Sequence, residues 1–260
     1  MRVEQLGDGT PEIAVVGGIH GDEPCGVRAV EGLLEDRPPV ERPVKLIIAN
    51  EAAIDQNERY LDTDLNRAFP GDPDAADHEA SLAAELTEAL EGCTVLALHS
   101  TQSYAEPFAI VPSLEGPLAE SVCPQLAIAA VVEPGPFIEG RLLSSPATFE
   151  VECGLQGSTQ AAENAVRIVR EFFTATGVLA GETITQEVPT FRLTQTIPKA
   201  LAEEYEVFAE NFERVDSGEV YAAADGDTLQ AEQPFYPVLL SANGYVDVFG
   251  YAAERVGQLS

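Results

Sequence analysis

Short β-rich apolar runs alternate with helix-periodic segments from residue 12 to about residue 178, and this alternation restricts the fold more than any other feature of the chain. Residues 12–17 hold the run Ile13-Ala14-Val15-Val16, stopped by Gly17 and Gly18. Pro24 then opens a stretch with Val27, Val30, Leu33 and Leu34 at helical spacing, a proline position suited to a first helical turn. Residues 44–49 read as a second buried strand, and residues 75–92 repeat Ala, Leu and Glu at helical intervals. The runs 94–98, 107–112, 127–132 and 148–153 are short and β-rich, and 158–174 is helical again, with Ala162, Ala165, Val166, Ile168 and Val169 on one face. Strands alternating with helices imply an α/β domain whose sheet is parallel or mixed. After Gly181 the texture changes: Thr, Val, Phe and Tyr alternate with acids, punctuated by Ser217-Gly218, Asp225-Gly226 and Asn243-Gly244. The expected division is therefore an α/β domain over 1–178 and a smaller, mostly β domain over 179–260 that must pack on something and covers a cleft of the first.

Charge narrows the function classes. The chain carries 14 Lys plus Arg against 44 Asp plus Glu, a formal net charge of −30. Such a surface repels nucleic acid, whose binding rests on cations that release counterions, and it disfavours anionic membranes for the same reason. The acids are spread along the chain, so they do not mark a disordered tail. Only Lys45 and Lys199 are lysines, and the other cations are arginines. A dispersed acidic surface poor in Lys fits a salt-loaded cytoplasm, where screening tames self-repulsion. Met1 leads into a charged, turn-rich segment instead of an apolar signal, and no stretch is long enough to span a bilayer. Cys25, Cys93, Cys123 and Cys153 are far apart with no CxxC pair, which implies reduced, buried thiols, with Cys93 and Cys153 inside strand-like runs.

Two of the three histidines stand in informative places. His20 and Glu23 form His-x-x-Glu at the turn from a strand into a helix, a spacing that lets both side chains reach one ion. His99 closes the run 94–98, and open α/β sheets bind ligands at the carboxyl ends of their strands. Two imidazoles and one carboxylate are a catalytic zinc donor set that leaves a coordination position for water. His78, in Asp-His-Glu on a solvated helix, is expected at the surface. Glu150 and Glu152 share one face of their strand, because strand side chains alternate, so either is a candidate general base.

Gly17-Gly18-Ile19-His20-Gly21-Asp22-Glu23, then Arg59-Tyr60, Asp64-Leu65-Asn66-Arg67 and Leu98-His99-Ser100-Thr101 resemble, in order, the motifs of the aspartoacylase/succinylglutamate desuccinylase family. That family is a branch of the zinc carboxypeptidase-like fold, so the resemblance implies a mixed sheet flanked by helices. It implies one zinc ion held by His20, Glu23 and His99, with Asn66 and Arg67 gripping a substrate carboxylate and Arg59 polarising the scissile carbonyl. The family's Glu-x-Gly pattern matches Glu152-Cys153-Gly154 better than Glu150-Val151-Glu152, which favours Glu152 as base with Glu150 in reserve. Arg141 resembles a substrate-gripping arginine, and Tyr245, after Phe235-Tyr236-Pro237-Val238, resembles a tyrosine that reaches back to the substrate. The family often has an acid two residues before its third metal ligand, where this chain has Ala97. Some other group must then fix the histidine tautomer. The activity so implied is hydrolysis of the amide of a small, carboxylate-bearing N-acyl amino acid. The rivals are a zinc carboxypeptidase acting on peptides, favoured by an open groove, and a catalytically silent zinc-binding protein. The strand edges of the tail are candidates for pairing subunits into a homo-oligomer.

Overall fold

A computed structural model describes residues 1–144 and 147–260. The chain runs β1 (Arg2–Leu6), β2 (Ile13–Gly17), α1 (Pro24–Asp36), β3 (Val44–Ile48), α2 (Glu51–Gln56), α3 (His78–Ala89), β4 (Thr94–Thr101), β5 (Phe108–Ile110), α4 (Pro117–Ser121), β6 (Val131–Glu133), β7 (Thr148–Leu155) and α5 (Thr159–Ala175). It continues through β8 (Val188–Pro198), β9 (Tyr205–Val207), β10 (Val220–Ala224), β11 (Asp227–Gln230), β12 (Tyr236–Val238) and β13 (Val248–Leu259). Ten strands form one sheet in the order β1-β3-β2-β4-β7-β5-β6-β8-β13-β12, and β11-β10-β9 form a second. The centre of the large sheet, β3-β2-β4-β7, is parallel, whereas β1, β5, β13 and β12 add antiparallel pairings. This is the mixed, helix-flanked α/β sheet expected from the pattern of runs.

Every residue of β2 is buried, which is why its sequence is a continuous apolar run instead of an alternation. Its side chains part to two cores. Val15 joins a cluster with Ala29, Val30 and Leu33 of α1 and Ala165, Ile168 and Phe172 of α5. Ala14 and Val16 face the opposite side, with Leu82, Ala83 and Leu86 of α3. Pro24 occupies the first turn of α1, and the Ser158 side chain caps α5 by accepting from Ala161 N at 3.0 Å. Val166, counted on the buried face of that helix, turns outward at 36% exposure.

Two short elements escape a periodicity reading, and one expected strand is shorter than its run. β1 lies in the segment expected to be a charged turn. It is an edge strand paired only with β3, so its outward residues can stay polar and only Leu6 is buried. α2 is a short helix capped by the Asn50 side chain, which accepts from Ala53 N. The run 127–132 yields only the strand Val131–Glu133, because Ala127 N donates to the Glu171 side chain and Ala129 N to the Pro107 carbonyl.

Beyond residue 178, β8, β13 and β12 extend the main sheet. β8 pairs in parallel with β6, Val131 opposite Thr190, and β13 runs antiparallel along β8 from Val248↔Pro198 to Leu259↔Val188. Only β9, β10 and β11 form the separate small sheet. All four cysteines are free and buried, with Cys153 in β7 and Cys93 just before β4. Among the described residues no helix is long and apolar enough to cross a membrane.

Candidate active site

The turn from β2 into α1 sets His20 and Glu23. Gly18 takes a left-handed φ of 69°, and Gly17 packs directly against Gly26 of α1, so a side chain at Gly17 would collide with the helix backbone. The turn closes with Glu23 N donating to His20 O at 3.3 Å, and Gly21 N ties it to Arg59 O at 3.2 Å. His99 stands near the carboxyl end of β4, beside Glu152 of β7 in the parallel ladder, while Glu150 stands beside Ala97. The loop after α2 brings Arg59, Asp64, Asn66 and Arg67 to the same end of the sheet, and the segment before β13 brings Tyr245.

His20, Glu23 and His99 are each about 3% exposed, and their ligand atoms lie within 4.8 Å of one another. Both Nδ1 atoms converge on one carboxylate: His20 Nδ1 is 2.8 Å from Glu23 Oε1 and His99 Nδ1 is 3.1 Å from Glu23 Oε2. Burial opposes charge on His20, but Glu23 and Asp64 outweigh it and raise the pKa. For His99 burial is again opposed by the Glu23 carboxylate, and the pKa rises to about 9. Burial would raise Glu23, yet the two imidazoles hold it well below the usual range. Both imidazoles and the Arg59 guanidinium thus face one buried carboxylate. The donor set fits a zinc ion: two imidazoles and a carboxylate, with His20 Nε2 held 2.9 Å from Asp64 Oδ1.

Arg59 donates to Glu23 Oε1 at 2.9 Å and to Asp64 Oδ2 at 3.4 Å. Asp64 keeps a depressed pKa: burial works against it, and the His20 contact and Arg59 prevail. The same Asp64 Oδ1 accepts from Asn66 N at 2.9 Å, so the loop is also a capped turn. Asn66 is buried, its Oδ1 accepting from Leu142 N and its Nδ2 donating to Glu150 Oε1, each at 3.0 Å. Glu150 Oε2 lies 3.9 Å from the buried Arg141. Glu152 differs: its Oε2 is closed off from solvent with no hydrogen-bond partner among the described residues. Burial, opposed by His99 and reinforced by Glu23 and Glu150, pushes its carboxyl up to about 7. Tyr245 lines the same cleft, its hydroxyl pKa raised by burial.

The family model described as the succinylglutamate desuccinylase/aspartoacylase catalytic domain matches residues 9–175, well over half of the chain. The chain belongs to this family. A rat N-acyl-aromatic-L-amino acid amidohydrolase (carboxylate-forming) is 36% identical over 91 residues, which are 30% of this chain and 27% of that protein. Aspartoacylase of Xenopus tropicalis is 35% identical over 80 residues, covering 30% and 26%. The match to these curated relatives thus spans about a quarter of their length. The product-bound ectoine utilization protein EutE (DoeB) of Ruegeria pomeroyi superposes with a TM-score of 0.78 at 18% identity, over 99% of this chain and 88% of that one. Murine aminoacylase 3 gives 0.73 at 22% identity, over 97% and 99%. These similarities establish a shared fold along nearly the whole chain.

Every site residue expected from the desuccinylase/aspartoacylase motifs lines the one cleft: His20, Glu23, Arg59, Asn66, Arg67, His99, Arg141, Glu150, Glu152 and Tyr245. Reading the sequence missed Asp64, whose place in the Asp-Leu-Asn-Arg motif was the available signal, and the polar lining from Gln102, Ser103, Gln156 and Ser241. Ala97 leaves the family's usual acid unreplaced in β4. Asp64 serves the Nε2 of His20, whereas the Nε2 of His99 has no partner among the described residues. His78, expected on a solvated surface, is half-buried, its Nε2 at 3.1 Å from Asn50 Oδ1.

Proposed function

We propose that the chain hydrolyses the amide bond of a small N-acyl amino acid, with one zinc ion held by His20, Glu23 and His99. The observation that carries the reading is the convergence of this donor set with the unpartnered oxygen of Glu152 in one cleft. When bound, such a cation supplies Lewis acidity, lowering the pKa of a coordinated water and polarising a carbonyl. Glu152 takes the proton of the attacking water. As the C–N bond of the amide breaks, it returns that proton to the departing amine nitrogen. Arg59, held by Glu23 and Asp64, directs a fixed positive charge at the oxyanion that develops on the carbonyl. Arg67 stands exposed at the cleft with no ion pair among the described residues and receives the substrate carboxylate, while Asn66, Arg141 and Tyr245 line the cleft to hold the rest of the substrate.

The cleft is narrow, with about 50 Å³ of free space. Leu239, Ser241, Gly244 and Tyr245 from the C-terminal segment wall one side of it, which favours a small substrate over a polypeptide.

The test is metal analysis combined with a screen of N-acetyl and N-succinyl amino acids, run in molar salt with added zinc. Stoichiometric metal and turnover are expected. Glu152→Gln should keep its metal and lose about 10²–10⁴-fold in kcat. Undiminished turnover in that variant moves the base elsewhere, and bound metal without turnover on any amide supports the silent protein.

A further inference from the structure

Three guanidinium groups line the cleft, and acids already engage two of them. Arg59 is paired with Glu23 and Asp64. Arg141, 6% exposed, has Glu150 at 3.9 Å, and Glu150 is itself only 2% exposed. Arg67 enters no ion pair among the described residues. Its Nη1 donates to the Asn66 carbonyl at 2.6 Å, and the rest of the group faces the cleft. Of the three arginines, Arg67 is therefore the one whose charge is left over for a substrate anion.

Glu150 has no part in holding the metal or moving the proton in the reaction proposed above. Its Oε1 accepts from Asn66 Nδ2, and its charge lies against Arg141. A carboxylate that entered beside Arg141 would lose its hydration and meet the repulsion of Glu150 along with the attraction of the guanidinium. Where the two nearly cancel, the desolvation cost is not recovered. A neutral amide or hydroxyl loses far less, and an amide can donate to the carboxylate while accepting from the guanidinium. The remaining lining is also polar, with Leu239 the one aliphatic side chain among the described residues of the cleft. At long range, a chain of 44 acidic and 14 basic residues repels a dianion more than a monoanion.

We infer that Glu150 is a specificity-determining residue: with Arg141 it forms a net-neutral polar wall, so the site selects N-acyl amino acids that carry a single carboxylate and a neutral polar side chain, and rejects dicarboxylates. The inference rests on the proposed amide hydrolysis for its kinetic readout, but not for its binding readout.

N-acetyl-L-asparagine and N-acetyl-L-aspartate have nearly the same shape and differ by one charge, so they isolate the effect. With the zinc-loaded full chain at fixed ionic strength, kcat/KM is expected to favour the asparagine derivative at least tenfold. Glu150→Gln keeps the shape and an acceptor for Asn66 but removes the charge, and should shift that ratio at least tenfold toward aspartate. If Glu150→Gln turns over neither compound, calorimetric binding of the same two compounds to the variant and to the wild type gives the ratio directly. A wild-type protein that prefers aspartate, or treats the two alike, overturns the inference, as does a ratio unchanged by Glu150→Gln. If the wild type cleaves no N-acyl amino acid at all, the hydrolysis fails while the binding ratio still decides the role of Glu150.

Discussion

Two carboxylates on one strand face illustrate how environment divides roles. Glu150 and Glu152 are two residues apart in β7, and both reach the cleft. Asn66 and Arg141 occupy the first and leave the second with an unpartnered oxygen and a carboxyl pushed up to about 7 by burial. A base works only when ionised, so activity is present above its pKa and lost below it. A dication in the same cleft favours the ionised form and draws that pKa down. The acid limb of kcat/KM for the zinc-loaded enzyme is accordingly expected below pH 7, above the ordinary carboxylate range, and a pH–rate profile locates it. Asp64 acts one step further out, through its contact with His20 Nε2. Removing such an outer acceptor typically weakens metal binding about 10–100-fold. Asp64→Asn should show that loss in a zinc titration while remaining folded by circular dichroism. Unchanged affinity would leave Asp64 only its turn-capping role.

At the scale of elements, the sheet supplies fixed positions and the loops bring the reagents. Packing of β2 against α1 is close because Gly17 and Gly26 let the two backbones meet, and Gly26 lies so near Leu98 that an added Cβ would stand 2.9 Å from the Leu98 Cβ. The His20–Glu23 turn is thereby set against the end of β4. The segment carrying Tyr245 is held differently. Lys199, just past the end of β8, donates through Nζ to the carbonyls of Ala242 at 2.8 Å and Tyr245 at 2.6 Å, and its ammonium lies 4.8 Å from the Tyr205 ring centroid. Charged hydrogen bonds of this kind are worth about 1.5–3 kcal/mol each. Lys199→Met should therefore free the loop and raise KM about tenfold with a smaller change in kcat. In a Tyr245→Phe background the same substitution should have little further effect. Additive losses in that double-mutant cycle would show that Lys199 serves stability alone.

For the molecule as a whole, the balance of 44 acids against 14 bases makes ionic strength a variable of both folding and catalysis. Self-repulsion destabilises the compact state, and it weakens as the Debye length falls from about 10 Å at 0.1 M salt to about 3 Å at 1 M. Tm is expected to climb as salt is raised from about 0.1 M toward molar concentrations, as followed by scanning fluorimetry. Over the same range kcat/KM for an anionic substrate should rise, because enzyme and substrate carry charge of the same sign. A Tm that stays flat or falls with salt would contradict the high-salt setting that the composition suggests.

The primary chain alone singled out the candidate ligands and where along the fold they stand. His20 and Glu23 share a turn whose geometry follows from their spacing, His99 ends an apolar run, and the period of a strand put Glu150 and Glu152 on one side. Those relations are local, set by backbone geometry. Tertiary structure decided the rest. Asp64 reaches His20 across 44 residues, Asn66 and Arg141 occupy one glutamate and spare the other, and β8, β13 and β12 extend the first sheet. The physical reason is that pairing among buried charges depends on which loops the packed core brings together, and spacing along the chain carries no record of that.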